Sequence, residues 1–260
     1  MLKFIMILKF YRKLTPMIVR LSIYRLRIRL RDIISPEKNN TFSGDGFTTI
    51  NFLGFRTDEK FNTAFATAIK SIPKKGPKNL QIIEWRAHIS TWAANQALRI
   101  EGGGDFVECG VWYGVLSKTI CEYLNLENWG DRKFYLVDTF GEAQGSHPAE
   151  KYKKDIYEDV KERFSIYPQI QIIRGVVPDC LTKITSSKIA YLAIDMNSSK
   201  PELETLKYFY EKIVPGGIIY FDDYGWGEYG ELRKVVDEFF SNKPETLLHF
   251  PSGNSIAVKI

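Results

Sequence analysis

From Asp105 onward, short apolar runs alternate with amphipathic stretches, and this alternation is the strongest feature of the chain. The runs suit strands buried on both faces, while the stretches between them carry apolar residues at three- and four-residue spacing. The pattern predicts strands at 106–108, 134–137, 170–174, 189–194 and 217–221, and helices at 114–124, 152–165, 201–213 and 229–240. Alternation of this kind marks βαβ units and a parallel sheet, here a Rossmann-like α/β fold. Two late runs, 246–250 and 255–260, are separated by Pro251, Ser252, Gly253 and Asn254. That is a tight-turn sequence, so an antiparallel hairpin is expected to finish the sheet.

Upstream the period is helical. Phe61, Ala64, Phe65, Ala68 and Ile69 recur on one face, as do Trp85, Ile89, Trp92, Ala93 and Leu98, with a Pro/Lys/Gly loop at 73–79 between them. Residues 36–46 (PEKNNTFSGDG) are polar and rich in turn formers, and read as a linker. Three parts are therefore expected: an apolar, basic arm with its linker (1–40), a helical cap segment (41–104) and a ligand-binding α/β domain (105–260).

Charge changes the picture at the N-terminus. Residues 1–32 hold nine Lys/Arg against Asp32 alone, so the formal net charge of +5 over 260 residues belongs to the arm, and the rest is mildly acidic. The longest unbroken apolar run there is Phe4 to Leu8. A membrane span needs roughly 20 apolar residues and a secretory core about 7–15, so neither is expected. Residues 1–35 suit peripheral contact with an anionic membrane surface or self-association. No nucleic-acid partner is expected, because no aromatic–basic module accompanies the arm. Cys109, Cys121 and Cys180 are an odd count without metal or disulfide spacing, which suits a reducing, cytoplasmic setting, and the first two read as buried fillers.

The first strand runs into Glu108-Cys109-Gly110-Val111-Trp112-Tyr113-Gly114 and then a helix that carries Ser117. A dinucleotide loop needs a glycine where Trp112 stands, so that the backbone can approach a pyrophosphate. Glu108 adds negative charge where an anion would otherwise sit. The loop thus favours a cationic ligand, and the sulfonium and ammonium groups of S-adenosylmethionine fit. Asp138 closes the second strand, where an acid accepts hydrogen bonds from ribose hydroxyls. Gly175 follows the third and permits close approach to an adenine.

Asp195 closes the fourth strand and Asp222 and Asp223 the fifth. Three carboxylates at one mouth raise each other's pKa unless a hard cation such as Mg²⁺ joins them. Asp222 and Asp223 can both contribute only if the strand has already turned, and Asn197 offers a neutral oxygen nearby. Such a site activates an alcohol for methyl transfer, with Asp195 as ligand and candidate base. His147 lies in a long segment after the second strand, expected to act as a lid, and is a second candidate. Tyr224, Trp226 and Tyr229 follow the acids and suit either sugar stacking or ordinary packing.

The segments DFVECGVWYG, FYLVDTFGE and IAYLAIDMNSS…LETLKYFYEKIVPGGIIYFDDYG resemble the macrocin O-methyltransferase family, and EWRAHISTWAANQAL resembles its upstream helix. The resemblance covers roughly residues 80–260. It implies a class I S-adenosylmethionine fold and Mg²⁺-dependent methylation of a hydroxyl on a sugar, a glycosylated small molecule or a surface glycan. By that match Glu108, Gly110, Gly114 and Asp138 contact the cofactor, joined by Tyr113, Ser117 and Gly175 as candidates, and Asp195, Asp222 and Asp223 hold the metal. Where the family reads D-x-D-x-Y, this chain reads Asp195-Met196-Asn197-Ser198-Ser199, keeping the first acid only. The competing readings are a non-catalytic or regulatory protein retaining the fold, an NAD(P) oxidoreductase, and a methyltransferase for another acceptor class such as nucleic acid, which only the basic arm suggests. The acidic trio speaks against the first, and Trp112 against the second.

Overall fold

A computed structural model describes residues 42–126, 129–141 and 154–260. The basic arm and His147 lie outside the described residues. The chain divides into two compact units: the described part of one is Phe42 and Thr48–Leu53, and the other comprises Ser43–Phe47 and Gly54–Ile260.

Two three-residue strands open the described chain: β1 (Phe42–Gly44) lies where the sequence suggested a linker, and β2 (Phe47–Thr49) directly follows it. Asp45 and Gly46 between them have φ of 45° and 74°, the left-handed pair that an Asp-Gly sequence adopts in a tight reversal. Helix α1 (Glu59–Lys70) is capped by Asp58, whose carboxylate accepts from the Phe61 N–H, and helix α2 (Glu84–Leu98) follows a 3-10 turn at Leu80–Ile83.

The larger unit is built on a seven-stranded sheet. Its strands are β3 (Asp105–Cys109), β4 (Phe134–Asp138), β5 (Ile170–Arg174), β6 (Ile189–Ile194), β7 (Ile213–Phe221), β8 (Leu248–His249) and β9 (Ser255–Val258). Their order is β5-β4-β3-β6-β7-β9-β8, parallel through β7 and antiparallel at β9 and β8. This is the doubly wound arrangement expected, with the terminal hairpin in place. Helices α3 (Val115–Leu124), α4 (Tyr157–Phe164), α5 (Ser199–Phe209) and α6 (Gly230–Phe240) connect the strands.

Alternate residues divide the core between the two faces. Val107, Cys109, Leu192, Ile194, Ile219 and Phe221 pack with Leu206 and Phe209 of α5 and Leu232, Val236 and Phe240 of α6. On the other face α2 covers the sheet, with α3 packed on α2 and α1 on α3. Helices α1 and α2 thus share the sheet's compact unit. Helix α2 lies against β6, β7 and α3, and it buries Ala87, Ala93, Ala94 and Ala97, small side chains that allow close approach. Trp92, expected on its buried face, is 46% exposed instead. All three cysteines are free and buried. Among the described residues no helix is long and apolar enough to cross a membrane.

Candidate active site

The parallel register sets the site. Ile173, Val137, Cys109, Ile194 and Phe221 lie side by side across five strands. One residue further on, the same row presents Asp138, Gly110, Asp195 and Asp222 at the carboxyl edge. Backbone bonds carry it past the strand ends: the N–H of Gly110 donates to Val137, that of Asp195 to Cys109 and that of Asp222 to Ile194, at 2.8 to 3.0 Å. Ligands of open α/β sheets bind at this edge.

A cavity of about 440 Å³ opens there, within the usual size range of small-molecule sites. Its walls are Gly110 and Trp112 after β3, Val137 and Asp138 at the end of β4 with residues 139–141 beyond it, Ile156 before α4, residues 175–178 after β5, and 195–198 with Lys200, Pro201 and Glu204 after β6. Three of its non-glycine residues, Trp112, Phe140 and Asn197, have φ of 48°, 51° and 54°. Left-handed backbone is costly for a large side chain such as Trp or Phe, and it collects where surrounding structure enforces it.

Of the seven residues expected to meet the cofactor, Gly110, Asp138 and Gly175 line the cavity, while Glu108, Tyr113, Gly114 and Ser117 do not. Gly114 serves packing, since a β-carbon there would come within 2.7 Å of the Phe164 ring. Tyr113 is buried edge-on against Trp112. Glu108 and Ser117 are buried and bonded to each other, the hydroxyl donating to the carboxyl. Burial raises the Glu108 pKa to about 8, with the Ser117 bond opposing. Glu108 therefore lies outside the cavity, and its burial disfavours the negative charge expected at the loop.

Asp138 lines the cavity and also binds backbone. Its Oδ2 accepts from the N–H groups of Val111 and Trp112, both at 2.7 Å, and its Oδ1 from the N–H of Phe140 at 2.7 Å. The carboxylate ties the β3 loop to the β4 loop and leaves little acceptor capacity for a ribose.

Beside the cavity the acidic trio is assembled as predicted: one carboxylate oxygen from each of Asp195, Asp222 and Asp223 lies within 4.8 Å of the others. Strand β7 ends at Phe221 and the chain bends at Asp222 and Asp223, which lets both carboxylates reach Asp195. Asp195 alone of the three lines the cavity. Burial raises its pKa well above the usual carboxylate range, the charges of Asp222 and Asp223 raise it further, and Arg86 opposes them.

Arg86, on α2, escaped the sequence reading. Its Nη1 donates to Asp222 Oδ2 and its Nη2 to Asp45 Oδ1, the latter at 2.7 Å. Asp45 was assigned to the linker, and only its Asp-Gly context hints at an ordered turn. Asn254, read as part of a tight turn, gives its Nδ2 to the Asp222 carbonyl at 2.7 Å and the Asp222 carboxylate at 3.1 Å. The three aromatics after the acids are engaged in packing. Tyr224 stacks on His249 and donates to Asp237, Trp226 faces Arg86 at 5.4 Å, and Tyr229 packs on the core.

A family model described as macrocin-O-methyltransferase (TylF) matches residues 87–246. No curated protein matches the sequence. Among solved structures, that titled the O-methyltransferase NovP superposes with a TM-score of 0.61 at 18% identity, covering 79% of this chain and 98% of its own. CalS11, titled calicheamicin methyltransferase, gives 0.52 at 15% identity over 76% and 91% of the two chains. The SAH-bound methyltransferase PaMTH1 of Podospora anserina gives 0.52 at 13% identity over 78% and 88%. These likenesses share the fold described above.

Proposed function

The chain belongs to the macrocin O-methyltransferase family, and on that premise we propose that it moves a methyl group from S-adenosylmethionine to a hydroxyl of a sugar or glycosylated small molecule, assisted by Mg²⁺. The observation that carries this reading is the position of Asp195. It lines the cavity on one side and joins the acidic trio on the other.

The cavity walls suit the donor. Asp138 holds the β3 and β4 loops as one wall, and the adenine-side loop at 175–178 forms another. Fixing the donor's methyl group against an acceptor oxygen removes much of the entropic barrier. As the acceptor oxygen bonds to the methyl carbon, the carbon–sulfur bond breaks and the hydroxyl proton passes to Asp195. Asp195 lines the cavity and is therefore placed to receive that proton.

The trio also fits a hard divalent cation, because it offers oxygen donors alone and the cation closest to it, Arg86, is shared with a fourth carboxylate, Asp45. Mg²⁺ held by Asp195, Asp222 and Asp223 would supply Lewis acidity toward the acceptor hydroxyl.

The test is a screen of nucleotide-linked, lipid-linked and natural-product sugars with the purified chain and S-adenosylmethionine, followed by mass spectrometry. Methylated product that disappears with EDTA and returns with Mg²⁺ supports the proposal. Binding of NAD in preference to S-adenosylmethionine sinks it. Turnover indifferent to EDTA removes the metal and leaves the methyl transfer.

A further inference from the structure

We propose that Arg86 is a positioning residue of the methyl-transfer site: its guanidinium, forked between Asp45 and Asp222, holds the Asp222 carboxylate in the one orientation that can serve a divalent cation. The inference rests on the metal-assisted reading of the site and concerns residues that the sequence pattern left unassigned.

The side chain of Asp222 is 1% exposed and surrounded by donors. Arg86 Nη1 bonds its Oδ2, while Tyr220 OH at 2.7 Å and Asn254 Nδ2 at 3.1 Å bond its Oδ1. An ionised carboxylate has about four acceptor positions, so three donors leave roughly one, on the oxygen that Arg86 also holds. These donors come from α2, β7 and the turn before β9. Ser252 Oγ, donating to Asn254 Oδ1 at 2.7 Å, fixes the amide. Rotation of Asp222 would break all three bonds together.

Arg86 is itself fixed. Its side chain is 15% exposed, its Nη2 is taken by Asp45, and the Trp226 ring covers the guanidinium at 5.4 Å. Nη1 also lies 3.9 Å from Asp223 Oδ1, so one cation borders two of the three candidate ligands. Only a planar fork can meet Asp45 and Asp222 at once; a lysine ammonium keeps the charge and loses the second fixed direction.

Geometry and charge make opposite predictions for this residue. If Arg86 were a counter-charge competing with the metal, its removal would tighten Mg²⁺ binding. If it orients Asp222, removal loosens binding even though the cluster becomes more negative. Calorimetric titration of MgCl₂ into the purified full chain, without donor or acceptor, separates the two, with S-adenosylmethionine binding as the control for an intact cavity.

Arg86→Lys and Arg86→Gln are both expected to weaken Mg²⁺ binding about tenfold or more, the usual effect of removing a group that orients a metal ligand, and to leave donor affinity nearly unchanged. Unaltered affinity in Arg86→Lys, or tighter affinity in Arg86→Gln, overturns the proposal. Should neither variant bind S-adenosylmethionine, Asp45→Asn carries the test, because it keeps Arg86 and loosens one tine of its fork. Weaker Mg²⁺ binding supports the role, and unchanged binding overturns it. A wild-type chain that takes up no Mg²⁺ overturns the metal reading itself, an outcome distinct from normal wild-type uptake with unaffected variants.

Discussion

A β-carbon built on Gly110 would lie 1.7 Å from the carbonyl oxygen of Asp195. The two residues end neighbouring strands, β3 and β6, and the Asp195 N–H donates to the Cys109 carbonyl at 2.8 Å. Close contact of these strand ends brings Asp195, the candidate base, to the edge of the cavity. Gly110 also has a φ of 93°, so any side chain there meets both a clash and strained backbone. Gly110→Ala is expected to lose about 3 kcal/mol or more of stability, or to fail to fold. Gly227→Ala, with open space around the added carbon, should behave like wild type. Thermal unfolding of the pair decides the matter; equal midpoints would show that the strand ends can separate freely.

Asp195→Asn keeps the shape of the proposed base and removes its basicity. Loss of a positioned general base typically lowers turnover about 10²–10⁴-fold. Calorimetry should still detect S-adenosylmethionine binding. A variant with normal turnover would transfer the role to another group.

Asp138 accepts three backbone N–H groups from two loops. Bonds to a charged acceptor contribute about 1.5–3 kcal/mol each, and the amide in Asp138→Asn keeps only one acceptor oxygen. That variant is expected to unfold at lower temperature and to bind the donor at least tenfold more weakly, as the cavity wall loosens. If unfolding is unchanged while donor affinity falls, the residue acts on the ribose directly.

Glu108 titrates near pH 8 in the folded chain, against an ordinary value of 4.5. Between those values the unfolded chain binds fewer protons, so this residue's contribution to stability falls as pH rises from about 4.5 to about 8, then levels off. Glu108→Gln removes the titration. Relative to wild type, its unfolding midpoint should climb over that interval. A difference independent of pH would mean that the carboxyl is ionised in the fold.

Glu245 has the opposite sign. Burial alone would raise its pKa, but Tyr210, Lys259 and the Ile260 N–H hydrogen-bond the carboxylate and bring it down to about 2. Its contribution is complete above the ordinary 4.5 and is lost as pH falls from there toward 2. Acid unfolding of Glu245→Gln should therefore be flatter than that of wild type over this interval. Parallel curves would rule the contribution out.

Much of the fold was legible because burial writes itself into local pattern. The run 189–194 is apolar throughout and buried throughout, and β6 begins and ends with it. Likewise β5 occupies 170–174 as expected. Strand β7 begins at Ile213, earlier than the expected 217, because Pro215 and Gly216 look like a turn. In the sheet they form an irregularity where the pairing with β6 shifts register. Helix α5 stops at Phe209 and tightens into a 3-10 turn at Tyr210–Lys212, a change that side-chain periodicity does not signal.

The acidic trio could be read because strand-end acids on adjacent parallel strands must converge. The roles of Glu108 and Asp138 could not. Which partner a carboxylate finds depends on packing, here Ser117 for the buried Glu108 and three loop N–H groups for the half-buried Asp138. Arg86 was hidden for a related reason: its partners lie 41 and 136 residues away in the chain.

Those distant bonds bear on any attempt to trade parts between relatives. A chimera joined at Asp105, where the first core strand starts, would inherit every residue that walls the cavity. It would still take its guanidinium and its Asp-Gly reversal from a foreign donor. The natural unit of exchange therefore starts before Asp45, and swapping the sheet alone should leave Asp222 poorly seated.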